Sequence, residues 1–225
     1  MATIAKRTSE WAGWAILTAA IGYFFLRDVP HYAIYTPESY GEHWEARGYL
    51  IPHVVGAGIA ILIGLAQFST TIRQRWPAVH RLCGRVYVTA TVIGAPAAMF
   101  LATKSECQTC KPALGSLAVY WLAATLVAFY FARNRSFATH RAFMIRSYVA
   151  MNVFVVVRIG YEIAGARVED MAVRTMVEFG TVLGTLFLVE AYFAWGSDLK
   201  IGNAIVRKRR AQADGSKLSG RADFG

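Results

Sequence analysis

The sequence has few charged residues, and it has none of the common signatures of a soluble enzyme. Charged residues make up 17% of its 225 residues, against roughly 25% in soluble globular domains. It contains no GxxxxGK[ST] phosphate loop, no GxGxxG after a strand, no HExxH zinc motif and no credible hydrolase triad. It also lacks the alternating apolar pattern of β-strands. These absences argue against a soluble enzyme fold.

Long apolar runs dominate the sequence instead. Hydrophobic residues make up 56% of the chain, and the mean hydropathy is +0.36. They are concentrated in six runs of about 16–23 residues, close to the ~20 that a helix needs to cross a bilayer. We therefore expect an all-α integral membrane helical bundle of about six transmembrane helices. The runs are Trp11–Leu26, Leu50–Ser69, Gly84–Thr103, Leu114–Ala132, Phe143–Gly165 and Thr175–Gly196.

Basic residues give the chain an orientation. Of the 24 lysines and arginines, 17 fall on the side of the N-terminus and six on the opposite side. The positive-inside rule therefore predicts that both termini are cytoplasmic, and we expect a bacterial inner (cytoplasmic) membrane. The first run has no small-residue cleavage site, which favours a retained span over a signal peptide. The net charge of +10 then lies mostly on a face that meets anionic lipid headgroups, and it does not indicate nucleic acid.

The spans predict four regions. Residues 1–49 hold the first span and an aromatic outer loop, and residues 50–165 hold a four-helix core. Residues 166–199 hold the sixth span, and residues 200–225 form a basic cytoplasmic tail. The core is predicted to consist of two helical hairpins in parallel repeat. A His-Arg element begins the second helix of each hairpin.

Four polar residues lie inside the outer half of the spans, where charges are expensive and therefore functional candidates. Glu162 follows Arg158 by one helical turn, and Glu178 lies at a matching depth in the sixth span. We expect Arg158 to form an intramembrane ion pair with one of these glutamates. The alternative is a ligand-binding or proton-handling site, which would include His53.

A second polar layer lies at the cytoplasmic boundary. It can anchor lipid headgroups, or it can hold a cofactor or an anionic ligand between the repeats. One haem b ligated by the two histidines of this layer is an option, as is a quinone beside His53 or beside this layer, and so is no cofactor at all. The residues of this layer are His80, Arg81, Arg85, His140, Arg141 and Arg146.

Two cysteines stand in the outer loop between the third and fourth spans. Cys107 and Cys110 form the sequence CQTC. In an oxidising compartment such a pair forms a disulfide, or it binds a metal together with His31 and His43 of the outer loop. A thioredoxin-like role would need a βαβ context, which the sequence lacks. Cys83 is expected to fill space inside its span.

The boundary motifs have a counterpart in a known family. The pattern consists of His53, Gly58, Gln67 and Arg75, followed by HRxxGRxY at residues 80–87 and HRxxMIRS at residues 140–147. It resembles a bacterial family of uncharacterised multi-pass membrane proteins, which is known as a domain of unknown function. The resemblance covers about residues 50–165, and it implies that spans two to five are the core domain. It implies no established activity.

Three functions are consistent with these features. The first is a membrane protein whose core binds a cofactor or lipophilic ligand, haem b or quinone, in a redox role. The second is a non-catalytic accessory subunit of a larger membrane complex, whose other subunits would be its partners. The third is a small transporter.

Overall fold

Helices make up almost all of the structure. It is a computed structural model that describes residues 2–163 and 172–195, and these residues contain no strand. Six of the helices are long and apolar enough to cross a membrane, so the expected all-α membrane bundle is confirmed. The predicted basic tail lies outside the described residues. The α-helices are α1 (Ala2–Arg27), α2 (Pro37–Tyr40), α3 (Arg47–Gln67), α4 (Thr70–Arg75), α5 (Pro77–Lys104), α6 (Cys110–Arg133), α7 (Phe137–Ile163) and α8 (Ala172–Trp195).

Two core helices begin earlier than the apolar runs that predict them. Helix α5 begins at Pro77, a position where the missing N–H of proline costs nothing. The amide of His80 donates to the Trp76 carbonyl at 3.0 Å, and the amide of His140 donates to the Ser136 carbonyl at 2.9 Å. The basic motifs therefore lie within the first turns of α5 and α7.

The core is a four-helix group. Helix α3 packs on α5, α5 on α6 and α6 on α7, and a smaller contact between α7 and α3 closes the group. The expected hairpins correspond to α3 with α5 and to α6 with α7. Helix α1 packs on α7, and most of its apolar surface stays outside the bundle, where lipid is expected.

Glycines allow the closest helix contact of the core. A Cβ placed on Gly56 of α3 would lie 2.7 Å from the carbonyl oxygen of Ala90 and 3.2 Å from Cα of Gly94, both on α5. A Cβ on Gly64 would overlap the ring of Tyr148, whose hydroxyl donates to the Ile61 carbonyl at 3.1 Å. Small residues at such contacts let two backbones approach, which is a major source of helix association in lipid.

A buried hydroxyl cluster joins three core helices. The hydroxyl groups of Tyr87 on α5 and Ser147 on α7 are hydrogen bonded at 2.8 Å. Ser147 is also bonded to Thr125 of α6 at 2.6 Å. Tyr87 ends the HRxxGRxY motif and Ser147 ends the HRxxMIRS motif. The two halves of the repeat therefore meet at this cluster.

The aromatic outer loop forms a cap over one end of α3 and α5. It contains the short helix α2 and 3-10 turns at Val29–Ala33 and Gly41–His43. Tyr40 is buried against Leu50 of α3 and Leu101 of α5. The loop thereby closes the end of the bundle opposite the basic motifs.

The glycine contact predicts a position-specific effect on stability. We expect Gly56→Ala to lower the free energy of unfolding by about 1–3 kcal/mol, because the new methyl group has to displace backbone atoms. The measurement is the thermal unfolding of the purified protein in mild detergent. Gly115→Ala is the matched control, since a Cβ there meets nothing within 4 Å. Equal effects of both changes would contradict the close contact.

Candidate ligand cavity

A large cavity lies in the half of the bundle that faces the aromatic cap. Its volume is about 830 Å³, within the range of about 300–1,000 Å³ typical of small-molecule sites. Core helices, the cap, the end of α1 and the beginning of α8 all contribute to its wall. Most of the wall is apolar, and it includes Phe25, Val54, Ala57, Leu101, Leu117 and Phe154.

His53 borders this cavity from α3. Its Nδ1 lies 3.1 Å from the carbonyl oxygen of Gly94 on α5. A carbonyl can only accept, so Nδ1 carries the proton of the neutral ring and Nε2 is left as an acceptor. The ring also meets Phe154 edge-on, at 6.2 Å between centroids. The close approach of α3 and α5 thus fixes both the position and the tautomer of this histidine.

Arg158 of α7 also lines the cavity. Its Nη2 donates to the hydroxyl of Tyr32 in the cap at 3.3 Å. The glutamate one turn further, Glu162, pairs with Arg27 of α1 instead, at 2.7 Å between Nε and Oε1. Glu162 also accepts a hydrogen bond from Tyr23. Helix spacing places Glu162 beside Arg158, but α1 supplies the arginine that pairs with it.

The other expected partner of Arg158 is also held by a different arginine. Glu178 of α8 is buried, and its Oε1 lies 3.1 Å from Nε of Arg174. Tyr161 donates to the same oxygen at 2.9 Å. Among the described residues, Oε2 of Glu178 has no hydrogen-bond partner. This oxygen is therefore available as an acceptor to a group that enters the cavity.

Cys107 and Cys110 are joined as a disulfide with a Cα–Cα distance of 5.2 Å. Both residues are 0% exposed. Within residues 2–163 and 172–195, no group of three or more histidines, cysteines and acids can hold a metal ion. The disulfide is therefore the arrangement that the structure shows for this pair.

The inner layer separates into two parts. Arg81, Arg85 and Arg141 are exposed at the end of the bundle, where headgroups would lie. His80 and His140 lie close enough for an electrostatic interaction. His140 donates through Nδ1 to the Ala128 carbonyl of α6 at 2.9 Å, since a carbonyl only accepts.

Arg146 differs from the other arginines of this layer. It is partly buried, and its guanidinium lies 5.0 Å from the centre of the Phe143 ring. The stacked geometry is a cation–π contact. This arginine is therefore held on α7 rather than extended towards the headgroups.

Several polar residues of the cavity wall were not expected from the sequence. Tyr161 follows Arg158 by one turn on α7, and Arg174 precedes Glu178 by one turn on α8. Each of these residues lies one helical turn from a charge that the sequence places inside a span. This spacing indicates that the two side chains share one face of their helix. Tyr32 gave no such signal, because its position depends on how the cap folds.

These features define a helical membrane protein with a largely apolar cavity beneath an aromatic cap. The chain belongs to the family described as "Predicted membrane protein (DUF2306)", whose sequence model matches residues 50–193. No curated protein and no solved structure matches the chain. The family region extends beyond the expected core of residues 50–165 and includes most of α8. This helix contributes Arg174 and Glu178 to the cavity.

Cysteine labelling checks the disulfide. In denaturing detergent without reductant, we expect a maleimide to label Cys83 alone, and to label all three cysteines after reduction. The Cys83→Ser variant should take up no label before reduction. Labelling of Cys107 or Cys110 in the unreduced, membrane-extracted protein would contradict the pairing.

Proposed function

We propose that the chain binds a lipophilic molecule with a quinone-type head group in this cavity, and that the binding serves redox chemistry in the membrane. The observation that supports the proposal is the combination of an apolar volume of about 830 Å³ with a few polar groups on its wall. Ligand sites are built in this way, with apolar contacts for affinity and a few polar groups for orientation.

The polar groups suit both redox states of such a head group. Arg158 is a fixed donor, which suits the carbonyl oxygen of a quinone. Nε2 of His53 and Oε2 of Glu178 are acceptors, which suits the hydroxyl groups of a quinol. Donors and acceptors on one wall allow the oxidised and the reduced ligand to bind without leaving a buried group unpaired.

The cavity fits a haem less well. Ligation by two histidines requires two rings on facing helices at one depth. Among the described residues of the wall, His53 is the histidine that a helix provides, while His31 and His43 belong to the cap. The quinone class is therefore the better match for this cavity.

The haem hypothesis concerns a different site, the two histidines of the inner layer. His80 and His140 lie at the same end of α5 and α7, the two helices that are hydrogen bonded through Tyr87 and Ser147. Haem b held there would give a Soret band that shifts on reduction of the purified protein. A flat Soret region in fully loaded preparations would exclude haem at these histidines. It would not affect the quinone proposal.

The cellular setting stays a prediction from charge. The disulfide and the aromatic cap lie at the end opposite the basic motifs, which suits an oxidising outer compartment and a basic cytoplasmic face. Insertion in a bacterial inner membrane, and the roles of accessory subunit and small transporter, are predictions from the sequence.

Binding of a short-chain, fully ring-substituted benzoquinone tests the proposal. We expect saturable binding to the purified protein in nanodiscs, measured by calorimetry. Arg158→Met should weaken it by about 10- to 100-fold, because a hydrogen bond to a charged group contributes about 1.5–3 kcal/mol.

Arg141→Met is the matched control, because it removes the same charge at the exposed inner end of α7. It should leave the affinity unchanged. Ala57→Phe, which fills part of the cavity, should abolish binding. Absence of saturable binding to the unaltered protein, or equal losses in both arginine variants, would refute this site.

A further inference from the structure

The sulfur of Cys107 lies within hydrogen-bond distance of one amide and two hydroxyl groups. The amide of Cys110 lies 3.2 Å from it, the hydroxyl of Thr109 3.4 Å and the hydroxyl of Thr175 3.7 Å. The Thr109 and Thr175 hydroxyls are also bonded to each other at 2.7 Å, so one donates to the other and only one of them can donate to the sulfur at a time. A sulfur in a disulfide is only a weak acceptor, so a disulfide needs no such surroundings. They become strongly favourable when the sulfur carries a negative charge.

Two further features favour a thiolate at this position. Cys110 begins the 24-residue helix α6, so the partial positive charge of a long helix lies at the pair. Arg174 donates to Oγ of Ser105 at 3.3 Å, and this oxygen accepts from the amide of Cys107 at 3.3 Å. The surroundings thus stabilise the reduced form, which makes a disulfide easier to reduce.

The pair lies directly behind the wall of the cavity. Ser105, which contacts Cys107, lines the cavity, and so does Leu114, one turn after Cys110 on α6. Arg174 and Glu178 line it from α8. The disulfide is therefore adjacent to residues of the cavity wall, and both cysteines are fully buried.

We propose that Cys107 and Cys110 are a redox-active pair that exchanges electrons with the quinone-type ligand, which makes the chain a thiol–quinone oxidoreductase. This proposal rests on the ligand class proposed above. In this proposal the CQTC motif takes part in a reaction, and its role is not limited to cross-linking the loop.

The reaction balances without another reagent. Two S–H bonds break and one S–S bond forms, which releases two electrons and two protons. The quinone takes up both, and its two carbonyl oxygens become hydroxyl groups. Oε2 of Glu178, a buried acceptor with no partner among the described residues, can hold a thiol proton on the way.

A single-turnover experiment tests the reaction. The full-length protein in nanodiscs is reduced with dithiothreitol, freed of reductant under nitrogen and mixed with the fully ring-substituted benzoquinone, which thiols cannot add to. We expect one quinol per protein and the loss of two maleimide-reactive thiols. Cys83→Ser should behave like the unaltered protein. The Cys107→Ser/Cys110→Ser double variant should bind the quinone and form no quinol.

A second variant probes the thiolate without removing either cysteine. Thr175→Val keeps the side-chain shape and removes a hydroxyl that lies 3.7 Å from the sulfur of Cys107 and that can donate to it when the sulfur is charged. We expect it to shift the equilibrium with dithiothreitol about fivefold towards the disulfide, as the loss of one hydrogen bond implies. Thr103→Val is the control, because that hydroxyl donates to the Phe100 carbonyl at 2.7 Å. Equal equilibria in the two variants would contradict a stabilised thiolate at Cys107.

The outcomes separate this proposal from the ligand proposal. Saturable quinone binding without thiol loss overturns the redox pair and leaves the binding function standing. Absence of both overturns both. Thiol loss that does not saturate with quinone, and that Arg158→Met does not slow, shows non-specific oxidation and also overturns the redox pair.

Discussion

A polar group inside the hydrocarbon layer must find its hydrogen-bond partner within the bundle, because lipid offers none. The approach of α3 and α5 meets this constraint for His53. Gly56 and Gly94 bring the two backbones together, and the Gly94 carbonyl then accepts the Nδ1 proton of His53. The packing of two small residues thus determines which ring nitrogen of His53 carries the proton.

The paired motifs follow the same constraint. Each carries basic residues that reach the membrane boundary and, one or two turns deeper, a hydroxyl that is bonded inside the core. The two hydroxyls, on Tyr87 and Ser147, are hydrogen bonded to each other. The repeated motifs therefore each supply one hydroxyl to the same buried cluster, while the hairpins themselves pack mainly through α5 and α6.

The sequence was sufficient for the helices but only partly for the cavity. Apolar length predicts the spans, because crossing a bilayer requires it. The sequence places Arg158 inside a span, but its contacts depend on tertiary structure. Arg27 pairs with Glu162, and Arg174 pairs with Glu178. The hydroxyl to which Arg158 donates belongs to Tyr32 of the irregular cap. Helical periodicity fixes which residues share a face, whereas it does not fix which helix lies opposite.

The hydrogen bonds of the hydroxyl cluster all run in one fixed direction. Thr125 gives its only proton to the carbonyl of Trp121 at 2.8 Å, so it can only accept from Ser147. Ser147 has then spent its own proton and must accept from Tyr87. Each hydroxyl has one proton, so the three O–H dipoles run head to tail from α5 through α7 to α6. The core therefore contains a small polarised array whose direction is set by one backbone carbonyl, and reversing any member requires reversing all three.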